Sequence, residues 1–236
     1  MDGLLFGAFP YVALTIFVVG TILRYRRGFQ YSSLSSQFLE AKTFSLGSTP
    51  FHVGILVVFF AHLIGFIFPS FVFGGTNLVI METIMLAFSM VAIAGLSILF
   101  YRRVTNQRVR MVTNTMDIII EVLLLVQFII GIYIAVSLKW GSAWYASDMV
   151  PYLVSVFTFQ PDIVGISATP LLIKLHVIGA FMIILLIPFS RLVHFLVAPL
   201  HYIFRPYQVV RWNWDRKKIR DPEQPWEDVV QRPKNN

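Results

Sequence analysis

Five long apolar runs, each bounded by charged or turn-forming residues, limit what this chain can fold into more than any other feature. They are Leu4 to Leu23, about Pro50 to Phe68, the stretch after Glu82 through Phe100, Ile118 to Leu138, and about Leu171 to Val197. At about 1.5 Å per residue, each is long enough as a helix to cross a hydrocarbon core roughly 30 Å thick. The first run is followed at once by "RYRR" and has neither a basic start nor a small-residue cleavage site, so it reads as a retained helix. The pattern predicts an all-α membrane protein, a bundle of five transmembrane helices.

Composition agrees with this. Only 13% of residues are charged, against about 25% in soluble domains. The net charge of +7 sits in short segments flanking the apolar runs, with no basic helix or zinc motif, which argues against nucleic acid as a partner. There is no cysteine, so disulfides, thiolate zinc sites and iron–sulfur clusters held by this chain alone are excluded.

Lysine and arginine positions predict the orientation. With the N-terminus outside, Arg24, Arg26, Arg27, Lys42, Arg102, Arg103, Arg108, Arg110, Arg191 and the basic tail all fall on the inner side. Of the 19 Lys and Arg residues, Lys139 and Lys174 alone remain outside, a strong positive-inside bias. The outer loop contains "VPYLVSVFTF", read as a short interfacial helix. No internal repeat or low-complexity tract is visible. Residues 1–204 are expected to form the transmembrane domain, and residues 205–236 a polar cytoplasmic arm contacting partner subunits.

Four of the five histidines lie inside spans: His52 and His62 on the second, His176 and His194 on the fifth. A histidine in lipid keeps a polar ring out of water and is a functional candidate by default. The two spans run in opposite directions, so depth pairs His62 with His176 and His52 with His194. On ideal helices, His176 and His194 are about five turns apart on one face, and His52 and His62 differ by roughly 80°. The rises are about 15 Å on one span and 27 Å on the other, so a tilt or bend must absorb the difference. His201 would need a rise of about 37 Å from His176 and reads as interfacial.

Two imidazoles at each of two depths describe axial ligation of two stacked b-type haems. Gly54, Gly65 and Gly179 follow histidines by two or three residues and could admit a flat macrocycle close to the backbone. Arg191, one turn before His194, is placed to meet haem propionates. Asp117 and Glu121 fit the start of the fourth helix as partners of its N-terminal dipole.

The segments "PYVALTIFVVGTILRYR", "SSQFLEAK", "STPFHVGIL", "AHLIGF", "YRRVTNQRVR", "LHVIGAF", "PFSRLVH" and "YIFRPY" resemble the gamma subunit of respiratory nitrate reductase, a membrane dihaem cytochrome b. The resemblance covers most of the chain. It implies five helices holding two bis-histidine haem b groups, with quinol (menaquinol or ubiquinol) oxidised near the outer haem. Electrons would pass to an iron–sulfur beta subunit and a molybdenum alpha subunit that reduces nitrate in the cytoplasm. The setting implied is multi-pass in the lipid of a prokaryotic cytoplasmic membrane. The family's quinol site commonly uses a lysine near the outer start of the third helix. "GTNLVIMETIML" has none, and Glu82 is the ionisable residue there, so His62, Gly65 and Glu82 are the quinol-site candidates. The chain also continues beyond "YIFRPY" through "WNWDRKKIRDPEQPWEDVV". Two other readings stay open: the same dihaem role in another molybdenum or sulfur-compound oxidoreductase, and a histidine-relay membrane transporter.

Overall fold

The computed structural model describes residues 1–26, 35–37, 39–72, 76–138 and 148–197. Lys139, His201 and the expected arm at 205–236 lie outside the described residues. A π-helical turn, Gly3–Ala8, runs into α1 (Phe9–Arg26). There follow α2 (Lys42–Ile67), the short α3 (Pro69–Val72), α4 (Thr76–Thr105), α5 (Gln107–Met111) and α6 (Thr115–Ser137). Next come α7 (Val150–Phe157), α8 (Ile163–Ser167) and α9 (Leu171–Leu186), and the described chain ends in two 3-10 segments, Ile187–Phe189 and Arg191–Val197. No strand occurs among the described residues. Five stretches are long and apolar enough to cross a membrane: Gly3–Arg26, Lys42–Ile67, Asn77–Thr105, Thr115–Ser137 and Leu171–Phe189.

Three boundaries differ from those read in the sequence. The second helix starts at Lys42, with Pro50 inside it. The Glu40 carboxylate accepts the Thr43 N–H at 2.8 Å and so caps the first turn. The third span, α4, begins at Thr76, so Glu82 lies within the helix. The fifth run does not cross as one helix to Val197. Pro188 has no N–H to continue the ladder, and Ser190 is extended (φ −113°, ψ 176°), so the chain breaks between Leu186 and Arg191.

The α2–α4 pair is antiparallel and joined by small residues. A Cβ on Gly54 would lie 2.6 Å from the Phe88 carbonyl oxygen, and one on Gly95 would lie 2.5 Å from the Phe51 nitrogen. Gly47 faces Gly95 and Leu99 in the same way. Backbone thus meets backbone, the usual means of close helix approach in lipid. Gly54 is used for this packing, which corrects the expectation that it makes room for a macrocycle. Around the seam, Phe51, Ala92, Leu96, Ile120, Leu124 and Phe128 form one buried cluster. A second gathers Phe6, Ala61, Met85, Ile134, Tyr152 and Phe181, among others.

At the end of the bundle carrying most of its arginines, called the basic end below, Arg102 is only 4% exposed. Its guanidinium donates to the Glu40 carboxylate (2.7 Å), the Ser36 hydroxyl (2.9 Å) and the carbonyls of Ser36 and Glu40 (2.9 Å each), and it stacks on Phe44. A cation drawn from the sequence as a topology signal thereby ties the segment before α2 to the end of α4. At the opposite end, α7 forms as expected. Tyr152 donates to the Phe6 carbonyl (2.9 Å) and Tyr11 to the Val156 carbonyl (3.1 Å), fixing α7 against the start of the chain.

Two outcomes follow. The Glu40 carboxyl is held below the usual glutamate range, chiefly by the Thr43 N–H and then by Arg102. Its stabilisation is fully present above the ordinary value of about 4.3 and lost as pH falls through the lower folded value. Glu40→Gln should therefore lower the thermal midpoint in detergent at neutral pH, and the gap to wild type should narrow as pH falls below the ordinary glutamate value of about 4.3. Gly54→Val places a branched side chain against the α4 backbone. It should cost about 3 kcal/mol, the upper end for overpacking, read as a lower unfolding midpoint.

Candidate functional site

The four histidines form two pairs, one nearer each end of the bundle. His52 and His194 have ring centres 6.2 Å apart, with planes at 63°. His62 and His176 have ring centres 6.4 Å apart, with planes at 28°. These are the pairs that depth alone suggested. His52 and His62 both come from α2, His176 from α9, and His194 from the 3-10 segment beyond the break.

Backbone carbonyls set the ring orientation. His52 Nδ1 lies 2.7 Å from the Ser48 carbonyl oxygen, and His62 Nδ1 lies 2.8 Å from that of Val58, each one turn earlier on α2. His194 Nδ1 lies 2.6 Å from the Arg191 carbonyl, three residues back, as 3-10 spacing places it. A carbonyl only accepts, so in all three rings Nδ1 carries the proton and Nε2 keeps the lone pair for a metal. His176 differs. Its Nδ1 is buried without a hydrogen bond, and the ring lies against Gly131, where a Cβ would sit 3.2 Å from Cε1.

The donor set fits a haem. An imidazole nitrogen sits about 2 Å from a metal it binds, with the ring centre about 1 Å behind, so two rings closing both faces of one iron have centres about 6 Å apart. Both pairs meet that spacing. No group of three or more His, Cys, Asp or Glu occurs among the described residues. A bare ion wants about four protein ligands, whereas a tetrapyrrole brings its own equatorial nitrogens and needs only the axial two.

One supporting residue was not picked out from the sequence. Gln127 Nε2 donates to the His176 carbonyl at 2.9 Å. Its side chain occupies the notch left by Gly179, where a Cβ would collide with it. Gly179 thus accommodates a neighbouring amide, a correction parallel to that for Gly54. The signal was present as the one polar side chain in "LLLVQFIIG".

The basic end carries an ionic cluster. Arg191 donates to Asp117 through Nε (2.7 Å) and Nη2 (2.8 Å), and Nη2 also reaches the Val112 carbonyl at 2.8 Å. Arg103 donates to Glu121 (2.8 Å) and Asp117 (3.3 Å). Asp117 in addition closes a capping box with Asn114 at the start of α6, as its position in the sequence suggested. Glu121, read as a dipole partner, is instead half of the pair with Arg103. Arg191, expected to meet propionates, gives its Nε and Nη2 to Asp117. Arg191 holds this end of the fifth span to α6, and its carbonyl orients His194.

The quinol-site candidates are less tightly defined. Gly65 is buried three residues past His62, and Glu82 is half-buried on α4. In the antiparallel register set by Gly47 against Gly95 and Gly54 against Ala92, Glu82 falls level with His62 and Gly65. Its carboxylate makes no ion pair with the described residues.

The comparisons with known proteins come from outside this geometry. The family model described as nitrate reductase gamma subunit matches residues 2–213. The nitrate reductase gamma chain of Bacillus subtilis (strain 168) is 34% identical over 220 residues, covering 88% of this chain and 97% of that one. The respiratory nitrate reductase 2 gamma chain of Escherichia coli (strain K12) is 34% identical over 211 residues, covering 86% and 93%. The nitrate reductase-like protein NarX of Mycobacterium tuberculosis (strain ATCC 25618 / H37Rv) is 31% identical over 239 residues, covering 96% of this chain but 36% of that longer protein. Matched over most of its length by a family model and by full-length relatives, the chain belongs to the nitrate reductase gamma subunit family, the membrane cytochrome b component of respiratory nitrate reductase.

Proposed function

We propose that this chain binds two haem b groups, oxidises quinol near the end of the bundle opposite its basic loops, and delivers the electrons to an iron–sulfur subunit docked on the basic end. The observation that carries this reading is the pair of histidine pairs, each with the ring spacing of axial ligands to one iron. His62 with His176 holds one haem and His52 with His194 the other. A haem held between each pair would supply reversible one-electron transfer.

The protein's own residues do the rest. The carbonyls of Ser48, Val58 and Arg191 fix the tautomer and aim Nε2. Gln127 braces the turn that carries His176. His62, Gly65 and Glu82 lie level with one another and line the quinol site, where the Glu82 carboxylate takes the proton from a quinol hydroxyl. Glu82 stands in for the lysine that the family commonly uses. Arg108 and Arg110, exposed on α5, offer the partner a positively charged surface.

The Lys and Arg distribution supports an inward-facing basic end in the cytoplasmic membrane, with the N-terminus outside. The partners are then a cytoplasmic iron–sulfur beta subunit and a molybdenum-containing alpha subunit that reduces nitrate. The arm at 205–236 contributes to that docking. Electrons moving inward while quinol protons leave outward build membrane potential, each charge being worth about 2.3 kcal/mol per 100 mV.

The purified complex should contain two haem b per chain by pyridine haemochrome assay, and well-folded protein with none would sink the reading. His52→Ala and His194→Ala should each remove one haem, and His62→Ala and His176→Ala the other, as two separable spectroscopic signals. Loss of both from every variant in folded protein would show that the pairing is wrong. In sealed vesicles of known orientation given quinol and nitrate, protons should appear on the side away from the basic loops. Their release on the basic side would overturn the orientation or the placing of the quinol site.

A further inference from the structure

The fifth span is broken at Ser190, four residues before His194, and α1 holds the break. Arg24, in the last turn of α1, donates from Nη1 to the Pro188 carbonyl at 2.6 Å and to the Ser190 carbonyl at 3.2 Å. One turn earlier on α1, Gly20 faces the proline, and a Cβ there would lie 2.9 Å from Pro188 Cβ. Ser190 completes the junction, its hydroxyl donating to the Ile187 carbonyl and accepting the Leu192 N–H, both at 3.2 Å. Without such donors a helix broken inside an apolar slab would leave carbonyls bare, at a cost of several kcal/mol each. A cation at the C-terminal end of α9 also complements the helix dipole.

We propose that Arg24 is a positioning residue for the basic-end haem: by holding Pro188 and Ser190 it fixes the bend that brings His194 opposite His52. On an unbroken helix His194 would stand about 27 Å along the axis from His176, whereas His52 and His62 are about 15 Å apart along α2. The bend at Ser190 redirects the chain so that part of that mismatch is taken up there, and His194 follows it by four residues. The downstream side is fastened independently, by Arg191 to Asp117 of α6. His194 is therefore carried on a short segment held between α1 and α6. His176 precedes the break and does not depend on it.

This inference rests on the haem reading above, and the test separates the two. Arg24→Gln, Arg24→Lys and Gly20→Leu would be made in the full complex, with haem content and the low-temperature paramagnetic resonance of the two ferric low-spin haems as readouts. The signals are assigned with the single histidine variants. Arg24→Gln should weaken haem retention at the His52–His194 pair about tenfold, the low end for outer-shell changes at metal-binding histidines. It should also shift that pair's signal, because the imidazole plane angle changes, while the His62–His176 signal stays as in wild type. Arg24→Lys should restore part of the retention, since an ammonium can still reach one carbonyl. Gly20→Leu, which presses on Pro188 without altering charge, should shift the same signal, and it reads the junction even if Arg24→Gln protein does not accumulate. Wild-type protein without haem would overturn both readings. Two haems in wild type with unchanged signals in Arg24→Gln and Gly20→Leu, or equal disturbance of both signals, would overturn this one alone.

Discussion

In a span without water, an imidazole has to settle its second nitrogen on whatever acceptor the protein supplies. For His52, His62 and His194 the nearest is a main-chain carbonyl one turn back, already part of the helix. That bond sets tautomer, ring plane and the direction of Nε2 together, at little cost in new structure. Helix position alone then decides where each ligand points. The remaining architecture serves to keep two helices at the right relative height and rotation.

The two sides of the site achieve this differently. α2 is held against α4 by glycine and alanine, with so little space that a single added methyl group meets main-chain atoms. The facing side is a helix interrupted by Pro188 and resumed after Ser190, with arginines from two directions fastening the interruption. Arg24 reaches carbonyls, whereas Arg191 reaches the carboxylate of Asp117, which is itself shared with Arg103 and the α6 cap. Arg102 and Asp117, buried at this end, are paired and multiply hydrogen-bonded, the condition under which burial is tolerable.

Much of this was legible in the sequence because lipid imposes long, uninterrupted apolar runs, and because antiparallel spans turn residue numbers into depths. The five spans and both histidine pairings came from those two constraints. What was not legible depends on contacts between helices. Gly54 and Gly179 look like room for a ligand until Ala92 and Gln127 are seen to fill them. Arg102 looks like a topology signal until Glu40 appears beside it, and nothing in the sequence pairs Arg191 with Asp117. Pro188 was visible in "IPFSR", but the apolar run continues through it, and the length of the run concealed the break. Pro50 misled in the opposite sense, suggesting a start where the helix was already under way.

The glycine-lined contact between α2 and α4 has a mechanical consequence. His52 and His62 both ride on α2, whose main chain lies against that of α4, so their separation is the rise of one helix with no room to shift towards its neighbour. The opposite side carries a break at Ser190 whose angle is clamped by Arg24 from α1 and, just beyond it, by Arg191 on Asp117. In the proposed electron path, where transfer falls steeply with distance, one continuous helix facing one clamped break would hold the two histidine pairs at a set spacing.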